Sequence, residues 1–171
     1  TLPGDPSFST RFMVDGRYVR EGYEDVFYFC DSEVGQVIRC VDSDHSGVIE
    51  PSEATTSFMF GPSSSSSVMY SPDTLAVYPD TSVSPAETRV YVALDNWQPS
   101  SLGFARGIHR LVDLNGDGDA MDTGEQSVFV ASSMNLTVTG LSGPVPLTLD
   151  RWKQVRVLPG GKVVAFAAGY S

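Results

Sequence analysis

The chain has 171 residues, 41% of them hydrophobic, which is enough for one sizeable core or two small ones. Its formal net charge is -10, from 21 acidic and 11 basic residues, so a nucleic-acid backbone would be repelled. No apolar run approaches the roughly 20 residues that a membrane span needs. We therefore expect no nucleic-acid partner and no membrane span.

Strands are predicted wherever Val, Ile, Phe and Tyr alternate with polar residues between turn formers. The first hairpin is predicted in RFMVDGRYVR, with Asp15 and Gly16 as a two-residue type I′ turn. A second covers residues 25–42, and a third covers residues 153–167 with its turn at Pro159, Gly160 and Gly161. Further strand candidates are residues 74–78, 90–94, 108–112, 127–130, 136–138 and 145–149.

A serine tract, FGPSSSSSVMYSPD, separates two halves that resemble each other and reads as a surface loop or linker. We expect a first β unit at residues 1–61, a Ser/Pro-rich loop at 62–73, and a second β unit at 74–171, unless the whole is one continuous domain. Aligning Asp42 with Asp113 places VIRCVD over IHRLVD. The alignment predicts a degenerate internal repeat of about 70 residues, each copy a strand pair that leads into an acidic loop and a further strand.

The two cysteines also follow the repeat, since Cys30 aligns with Leu94 and Cys40 with Leu111. Cys30 and Cys40 would be opposed if the hairpin between them turned through a three-residue loop around Gly35. We expect a disulfide, which would contribute about 3 kcal/mol and indicate an oxidising compartment. Two buried thiols are the alternative.

The first acidic loop, VDSDHSGVIEPSE, has the spacing of a twelve-residue calcium loop. Such a loop needs oxygens at positions 1, 3 and 5, glycine at 6, a backbone carbonyl at 7 and a bidentate Glu at 12. Gly47 occupies position 6, and Glu50 at position 9 adds a direct or water-mediated ligand. The predicted ligands are Asp42, Asp44, Ser46, Val48 through its carbonyl, Glu50 and Glu53. His45 at position 4 is expected to point outward.

The second acidic loop, DLNGDGDAMDTGE, repeats the pattern with its closing Glu at position 13. Either Asp122 replaces that Glu, or an insertion at Thr123 and Gly124 lets Glu125 reach the metal; we favour Glu125. The candidate ligands are Asp113, Asn115, Asp117, Asp119 by its backbone carbonyl, Asp122 and Glu125. Hard oxygen ligands without His or Cys favour calcium, so we expect about two Ca²⁺ ions.

The second loop, preceded by IHRLVD, resembles the acidic calcium repeats of large secreted bacterial surface proteins, some of them predicted β-propellers or sandwich arrays. It is more loosely similar to dockerin and thrombospondin-type loops. The resemblance implies calcium-stabilised extracellular β structure rather than a common reaction. A loop between strands also argues against a calcium switch, because sensors open a pair of helices.

No catalytic constellation is visible, so we expect the protein not to be an enzyme. Of the two histidines, His45 lies in an acidic loop and His109 in a predicted strand, and no serine lies in a nucleophile-elbow pattern. Paired carboxylates for glycoside chemistry remain the third-ranked possibility. Trp97 and Trp152, with Tyr91 and Tyr23, form a candidate sugar-binding platform, although core packing is the commoner use of such residues. The NLT sequon makes Asn135 a possible glycosylation site.

The expected fold is all-β, an Ig-like or related β-sandwich with strand-flanked, EF-hand-like calcium loops. A complete propeller is disfavoured, because two copies cannot close a ring of four or more blades, but a partial propeller completed by other chains stays open. The absence of an initial Met suggests a processed, secreted or cell-surface protein.

The segment PSFSTRFMV alternates as a strand does, and its similarity to donor-strand pilus subunits suggests that it completes a sheet in another protomer. The expected function is a calcium-stabilised structural subunit that self-associates into a pilus-like homopolymer. The alternative is a calcium-dependent carbohydrate-binding or adhesion module with glycan partners.

Overall fold

The computed structural model describes residues 13–31, 35–50, 52–53, 57–60, 70–96, 107–131, 134–140 and 143–170. Within these residues the chain forms eleven strands in three antiparallel sheets. The all-β prediction is therefore confirmed. The described residues include no helix that is long and apolar enough to cross a membrane.

The N-terminal sheet contains four strands in the order β1-β2-β3-β4. They are β1 (Met13–Glu21), β2 (Glu24–Asp31), β3 (Gln36–Asp42) and β4 (Ser57–Phe60). The first acidic loop connects β3 to β4. Along β2, buried Val26, Tyr28 and Cys30 alternate with less buried residues, as the period-2 pattern of the sequence requires.

The predicted turn at Asp15 and Gly16 is wrong, because both residues lie inside β1. The chain reverses instead at Gly22 and Tyr23, where Gly22 has a φ of +62°. The Asp15 carboxylate accepts hydrogen bonds from the Thr74 hydroxyl at 2.8 Å and the Leu75 N–H at 3.1 Å. These tertiary bonds hold Asp15 within the strand, where it joins the N-terminal sheet to the next one.

The central sheet repeats this organisation, with four strands in the order β5-β6-β7-β8. They are β5 (Tyr70–Asp80), β6 (Glu87–Asn96), β7 (Gly107–Leu111) and β8 (Gln126–Ala131). The second acidic loop connects β7 to β8. The first four further strand candidates are confirmed in this sheet, except that Val112, the last residue of candidate 108–112, lies beyond the end of β7.

The C-terminal sheet contains three strands in the order β11-β10-β9. They are β9 (Met134–Gly140), β10 (Gly143–Leu158) and β11 (Lys162–Tyr170). The turn predicted at Pro159, Gly160 and Gly161 is confirmed, and Gly161 N–H donates to the Leu158 carbonyl at 3.1 Å. The remaining candidates, residues 136–138 and 145–149, lie in β9 and β10.

The central sheet lies between the other two, and its strand β6 is buried on both faces. One face carries Leu75, Val90 and Val92, which pack with buried residues of the N-terminal sheet. The opposite face carries Tyr91 and Ala93, which pack with residues of the C-terminal sheet such as Trp152. Burial on both faces explains why residues 90–94 form a continuous apolar run rather than an alternating one.

The Ig-like version of the predicted sandwich is not the observed topology. An Ig domain distributes consecutive strands between two sheets through Greek-key connections. Here each sheet is a meander of described strands that follow one another in sequence, and three sheets stack face to face. The predicted first unit corresponds to the N-terminal sheet, which shares a hydrophobic core with the central sheet. The predicted linker overlaps the start of β5 at Tyr70.

The predicted disulfide between Cys30 and Cys40 is also wrong. In the observed register Cys30 pairs with Val37, and Cys40 pairs with Phe27. Cys30 therefore points to the same face as Val37. Cys40 lies three residues further along β3, and since side chains alternate between faces, its sulfur atom lies on the opposite side of the sheet. Both cysteines are buried and neither is bridged, and burial raises the pKa of the Cys40 thiol to about 11.

Candidate metal-binding loops

The first acidic loop, residues 42–53, folds around the carboxylate of Asp42 at the end of β3. Asp42 Oδ1 accepts the Ser46 N–H at 3.0 Å, and Oδ2 accepts the Gly47 N–H at 2.8 Å. Gly47 has a φ of +77° and His45 a φ of +59°, so the chain turns sharply at both residues. Gly47 thus has the left-handed conformation that its position in the pattern predicts.

Glu53 closes the loop from its other end. Its Oε1 accepts hydrogen bonds from the Ser43 N–H at 2.8 Å and the Ser43 hydroxyl at 2.7 Å, and its Oε2 accepts the Glu50 N–H at 3.2 Å. The bonds from Ser43 and Glu50, led by that of the Ser43 hydroxyl, lower the pKa of Glu53 to about 2. The side chain therefore carries its negative charge in a nearly buried position.

Three predicted ligands converge in this loop. One ligand oxygen each of Asp42, Asp44 and Glu53 lies within 4.8 Å of the others. Two oxygens bound at 2.3–2.6 Å to one calcium ion are at most about 5 Å apart, so these three fit a single ion. In the described part of the chain, no other group of three acidic, histidine or cysteine side chains comes so close.

The remaining candidates of the first loop surround this group. The Ser46 hydroxyl donates to the Val48 carbonyl at 3.0 Å and accepts the Val48 N–H at 3.2 Å. A hydrogen bond with the Glu53 side chain raises the pKa of Glu50, and burial and the negative charges of Asp44, Glu53 and Asp42 raise it further. The crowding of negative charge is what a divalent cation would relieve.

The structure shows how Glu53 is oriented. A carboxylate offers about four lone-pair positions, and the three hydrogen bonds to Glu53 use most of them. Both oxygens of Glu53 are thus held in place by the loop itself, which orients the carboxylate toward Asp42 and Asp44. Ser43 was missed as a functional residue because position 2 of the pattern carries no ligand.

The second acidic loop, residues 113–125, is held by corresponding backbone bonds to its first and last carboxylates. Asp113 Oδ2 accepts the Gly118 N–H at 2.9 Å, as Asp42 does for Gly47. Glu125 Oε1 accepts the Leu114 N–H and Oε2 the Asp122 N–H, both at 2.9 Å. Glu125 therefore occupies the structural position of Glu53.

The extra residue of the second loop does not lie at Thr123 and Gly124, as predicted. Asp122 to Glu125 corresponds without a gap to Glu50 to Glu53, since Glu125 N–H bonds to the Asp122 carbonyl as Glu53 N–H bonds to that of Glu50. The insertion falls between Gly118 and Asp122. This segment contains Ala120, which is fully buried and donates its N–H to the Phe58 carbonyl of β4 at 2.9 Å.

The side-chain amide of Asn115 links the other candidate ligands of the second loop. Asn115 Nδ2 donates to Asp117 at 2.9 Å and to Asp122 at 2.7 Å, while its Oδ1 accepts the Asp117 N–H. Asp119 Oδ1 accepts the Met121 N–H at 2.8 Å. A neutral amide thus lies between two carboxylates where the first loop has the charged Asp44.

His45 lies outside the ligand group, as its position in the pattern predicted. Its Nδ1 is 2.8 Å from Asp25 Oδ2 on neighbouring β2. Bonds from the Tyr18 hydroxyl and then from His45 lower the pKa of Asp25. The contact keeps the imidazole at the surface, where its side chain is 48% exposed.

Sequence reasoning did not find the polar cluster beneath the second loop. Arg39 Nη2 bonds to Glu21 at 2.8 Å, and the Tyr28 hydroxyl bonds to the same carboxylate at 2.7 Å. These residues line a cleft of about 290 Å³ that also includes Asp113. The alignment of Arg39 with Arg110 was the only signal of this position in the sequence.

The aromatic sugar-binding platform is not formed by the residues that the structure describes. Trp152 is 5% exposed and Tyr91 is 3% exposed, and both pack between the central and C-terminal sheets. Tyr23 is exposed on a turn of the N-terminal sheet. Trp97, the side chain of Asn135 in β9, and residues 1–12 of the proposed donor strand lie outside the described residues.

Comparisons of the chain with protein-family models, with curated proteins and with solved structures gave no match.

Proposed function

We propose that the protein is a non-enzymatic, calcium-stabilised structural subunit of an extracellular or cell-surface assembly. The observation that carries this proposal is the convergence of Asp42, Asp44 and Glu53, whose ligand oxygens lie within 4.8 Å of one another. The loop places them there through backbone hydrogen bonds.

The donor chemistry fits calcium better than the other common metals. In the first loop Asp42, Asp44 and Glu53 would hold the ion, with the Ser46 hydroxyl and the Val48 carbonyl close by. All these donors are hard oxygens, and a site without nitrogen or sulfur ligands disfavours zinc and copper. In the second loop Asp113, Asn115, Asp117 and Glu125 occupy the matching positions, which supports a second ion and the internal repeat.

A structural role is favoured because both loops connect strands of the same sheet. The first loop joins β3 to β4 and the second joins β7 to β8. The second is also bonded to the N-terminal sheet through Ala120 and Phe58. Calcium in these loops would fix long connections between strands, whereas a sensor needs an element that moves when the ion binds.

Assembly by donation of an N-terminal strand is part of the proposal. Residues 1–12 precede β1, and the last two residues of the proposed donor segment, Met13 and Val14, already belong to β1, where Met13 pairs with Asp31 of its own chain. The part that could be donated would therefore end where β1 begins. Each sheet has edge strands to which such a segment could be added.

Calcium titration by isothermal calorimetry tests the metal sites. The unaltered protein should bind about two ions, while Glu53→Gln and Glu125→Gln should each weaken one site. Glu24→Gln is the matched control, because the Glu24 side chain is 56% exposed and lies outside both loops. Absence of calcium binding by the unaltered protein would refute this part of the proposal.

Electron microscopy with and without a calcium chelator tests the assembly. Filaments that loosen on chelation are expected. Deleting residues 1–12 should abolish them and leave a folded, calcium-binding monomer. Unchanged filaments after the deletion would refute strand donation.

A further inference from the structure

The C-terminal hairpin, β10 and β11, packs on the central sheet in the way that the hairpin of β5 and β6 packs on the N-terminal sheet. β5 contacts β1 most extensively, then β2 and then β3, and β10 contacts β5, β6 and β7 in the same order. In sequence, RVYVALD of β6 and KVVAFAA of β11 both begin with a basic residue followed by an apolar run. The hairpin therefore occupies the place of the first two strands of a third repeat.

The register of the two hairpins matches as well. The corresponding pairs are Val77 with Val90 and Val157 with Val163, then Leu75 with Val92 and Val155 with Ala165. All of these side chains face the preceding sheet. On the first strands the burial also matches, since Leu75 and Val155 are both fully buried.

On the second strands the burial differs. Val90 and Val92 are fully buried, whereas Val163 and Ala165 are only partly buried. β6 has β7 as its second neighbour, while β11 pairs with β10 alone among the described strands. The apolar row of β11 thus lacks the strand that lies beside the matching row of β6.

The backbone of β11 has none of the usual barriers to a further strand. Its nine residues pair with β10 one after another, and they include no proline and one charged residue, Lys162. The edge strands β4 and β8, by contrast, each carry a bulged residue, Phe58 and Phe129. Bulges, prolines and charges are the means by which edge strands avoid pairing with other chains.

We propose that β11 accepts the N-terminal segment of a second copy of this chain as an antiparallel strand. The segment would lie where β3 lies beside β2 and β7 beside β6. In sequence, residues 6–12 place Phe8 and Phe12 on one face of an extended strand and Arg11 with two serines on the other. The phenylalanines would extend the apolar row of β11 over the central sheet. β3 has the same length of seven residues.

The segment of the same molecule cannot pair in this way along the length of β11. Gly22 lines a cleft with Thr81 of the β5–β6 turn, and a Cβ on Gly161 would lie 3.1 Å from the Tyr78 ring of β5, so the three hairpin turns lie at one end of the stack. An antiparallel partner of β11 ends at that end, whereas β1 begins at the other, about 26 Å away. Residue 12 is bonded directly to Met13, so the segment must come from another molecule.

The proposed contact is head to tail, because each molecule donates one segment and offers one edge. Repetition of such a contact gives an open filament or a closed ring. The inference rests on the strand donation of the proposed function and assigns the edge that receives the strand.

Hydrogen–deuterium exchange of the full chain over a range of protein concentrations tests the acceptor edge. As molecules associate, the backbone amides of β11 should become protected, because their outward N–H groups gain partners. The edge strand β8 is the internal control, and its exchange should not change. Protection of β11 that is independent of concentration would overturn the inference, since it would show that no second molecule is needed.

A synthetic peptide of residues 1–12 tests the donor. Added to the chain that lacks these residues, it should give the same protection of β11. The peptide with Phe8→Ser and Phe12→Ser should bind about tenfold more weakly or worse. The matched control is the peptide with Ser7→Ala and Ser9→Ala, which should bind as the unaltered peptide does. Equal binding of all three peptides would overturn the inference.

The same measurements separate this inference from the proposed function. If the peptide binds but protects β4 or β8 instead of β11, strand donation stands and the assigned edge is refuted. If neither the peptide nor association protects any edge, strand donation is refuted together with this inference, while calcium titration decides the metal sites independently.

Discussion

Single residues of β1 show how tertiary contacts override a local signal. Asp-Gly is a strong turn signal in sequence, yet Asp15 is held by Thr74 and Leu75 of the next sheet. Gly16 is needed for a different reason, because a Cβ there would lie 2.8 Å from the Phe29 ring. Asp and Gly both fit a turn, but here Asp15 forms hydrogen bonds to the next sheet and Gly16 lets the Phe29 ring lie close to the backbone.

Replacing Asp15 with Ala should destabilise the protein by about 1–3 kcal/mol, because the buried Leu75 N–H would lose its acceptor. Urea unfolding measures this change. Asp15→Asn is the control, since its amide oxygen can still accept that hydrogen bond, and it should have a smaller effect. Equal effects of the two variants would mean that the charge matters rather than the acceptor.

Asp80 should make the stability depend on pH in the acidic range. The Ser82 hydroxyl, followed by the Ser82 N–H and the positive charge of Arg89, lowers the pKa of Asp80 from its usual 3.8. A lowered folded-state pKa adds stability that is present above 3.8 and is lost as the pH falls through the folded-state value.

Urea unfolding across this range should therefore show the unaltered protein losing its advantage over Asp80→Asn as the pH decreases below 3.8. Glu24→Gln, which removes an exposed carboxylate, serves as the control for the general effect of acid. A constant difference between the unaltered protein and Asp80→Asn at all pH values would contradict the prediction.

At the scale of elements, the second acidic loop differs from the first by the residue that anchors it. The segment between Gly118 and Asp122 is one residue longer than its counterpart, and its Ala120 lies in the core between the N-terminal and central sheets. The same loop pattern thus forms a surface connection in one sheet and an intersheet contact in the other. Sequence spacing could reveal the extra residue but not where the loop accommodates it.

Enlarging Ala120 to Leu should cost about 1–3 kcal/mol, because the side chain is fully buried against well-packed neighbours. Thermal unfolding measures the loss. Met121→Leu is the matched control at the adjacent position, where the side chain is 40% exposed, and its effect should stay within about 0.5 kcal/mol. Similar effects at both positions would argue against the buried anchor.

The register of the β2–β3 hairpin predicts two thiols rather than a disulfide. Alkylation of the unfolded, unreduced protein followed by mass spectrometry should label both Cys30 and Cys40. Addition of a reductant should leave the unfolding temperature unchanged, because no bond is cleaved. Protection of both cysteines from alkylation would show that the observed register is wrong.

For the whole molecule, calcium binding should be linked to the stability of the sheet stack. Calcium at about 100 times its dissociation constant should add about 2.7 kcal/mol per site, if the unfolded chain does not bind it. Glu125→Gln should reduce this gain more than Glu53→Gln, because the second loop is bonded through Ala120 to Phe58 of another sheet. Thermal unfolding with calcium and with a chelator measures the stability that calcium adds to each variant. Equal reductions in the two variants would contradict the proposed linkage between sheets.

The sequence by itself determined the strands and the acidic loops. Alternation of side chains predicted most strand positions, and the spacing of oxygen-bearing residues around Gly47 and Gly118 identified two loops in which both glycines have positive φ values. These are local features, since side-chain period, turn residues and short-range hydrogen bonds operate within a few residues.

Only the tertiary structure decided how the strands are arranged. The register that separates Cys30 from Cys40, the use of Asp15 as a bridge, the burial of Trp152 and the position of Ala120 all depend on contacts between residues distant in sequence. A one-residue change in register moves a side chain to the other face of a sheet without altering any local pattern. The packing of sheet against sheet selects among these local possibilities, because it determines which faces are buried.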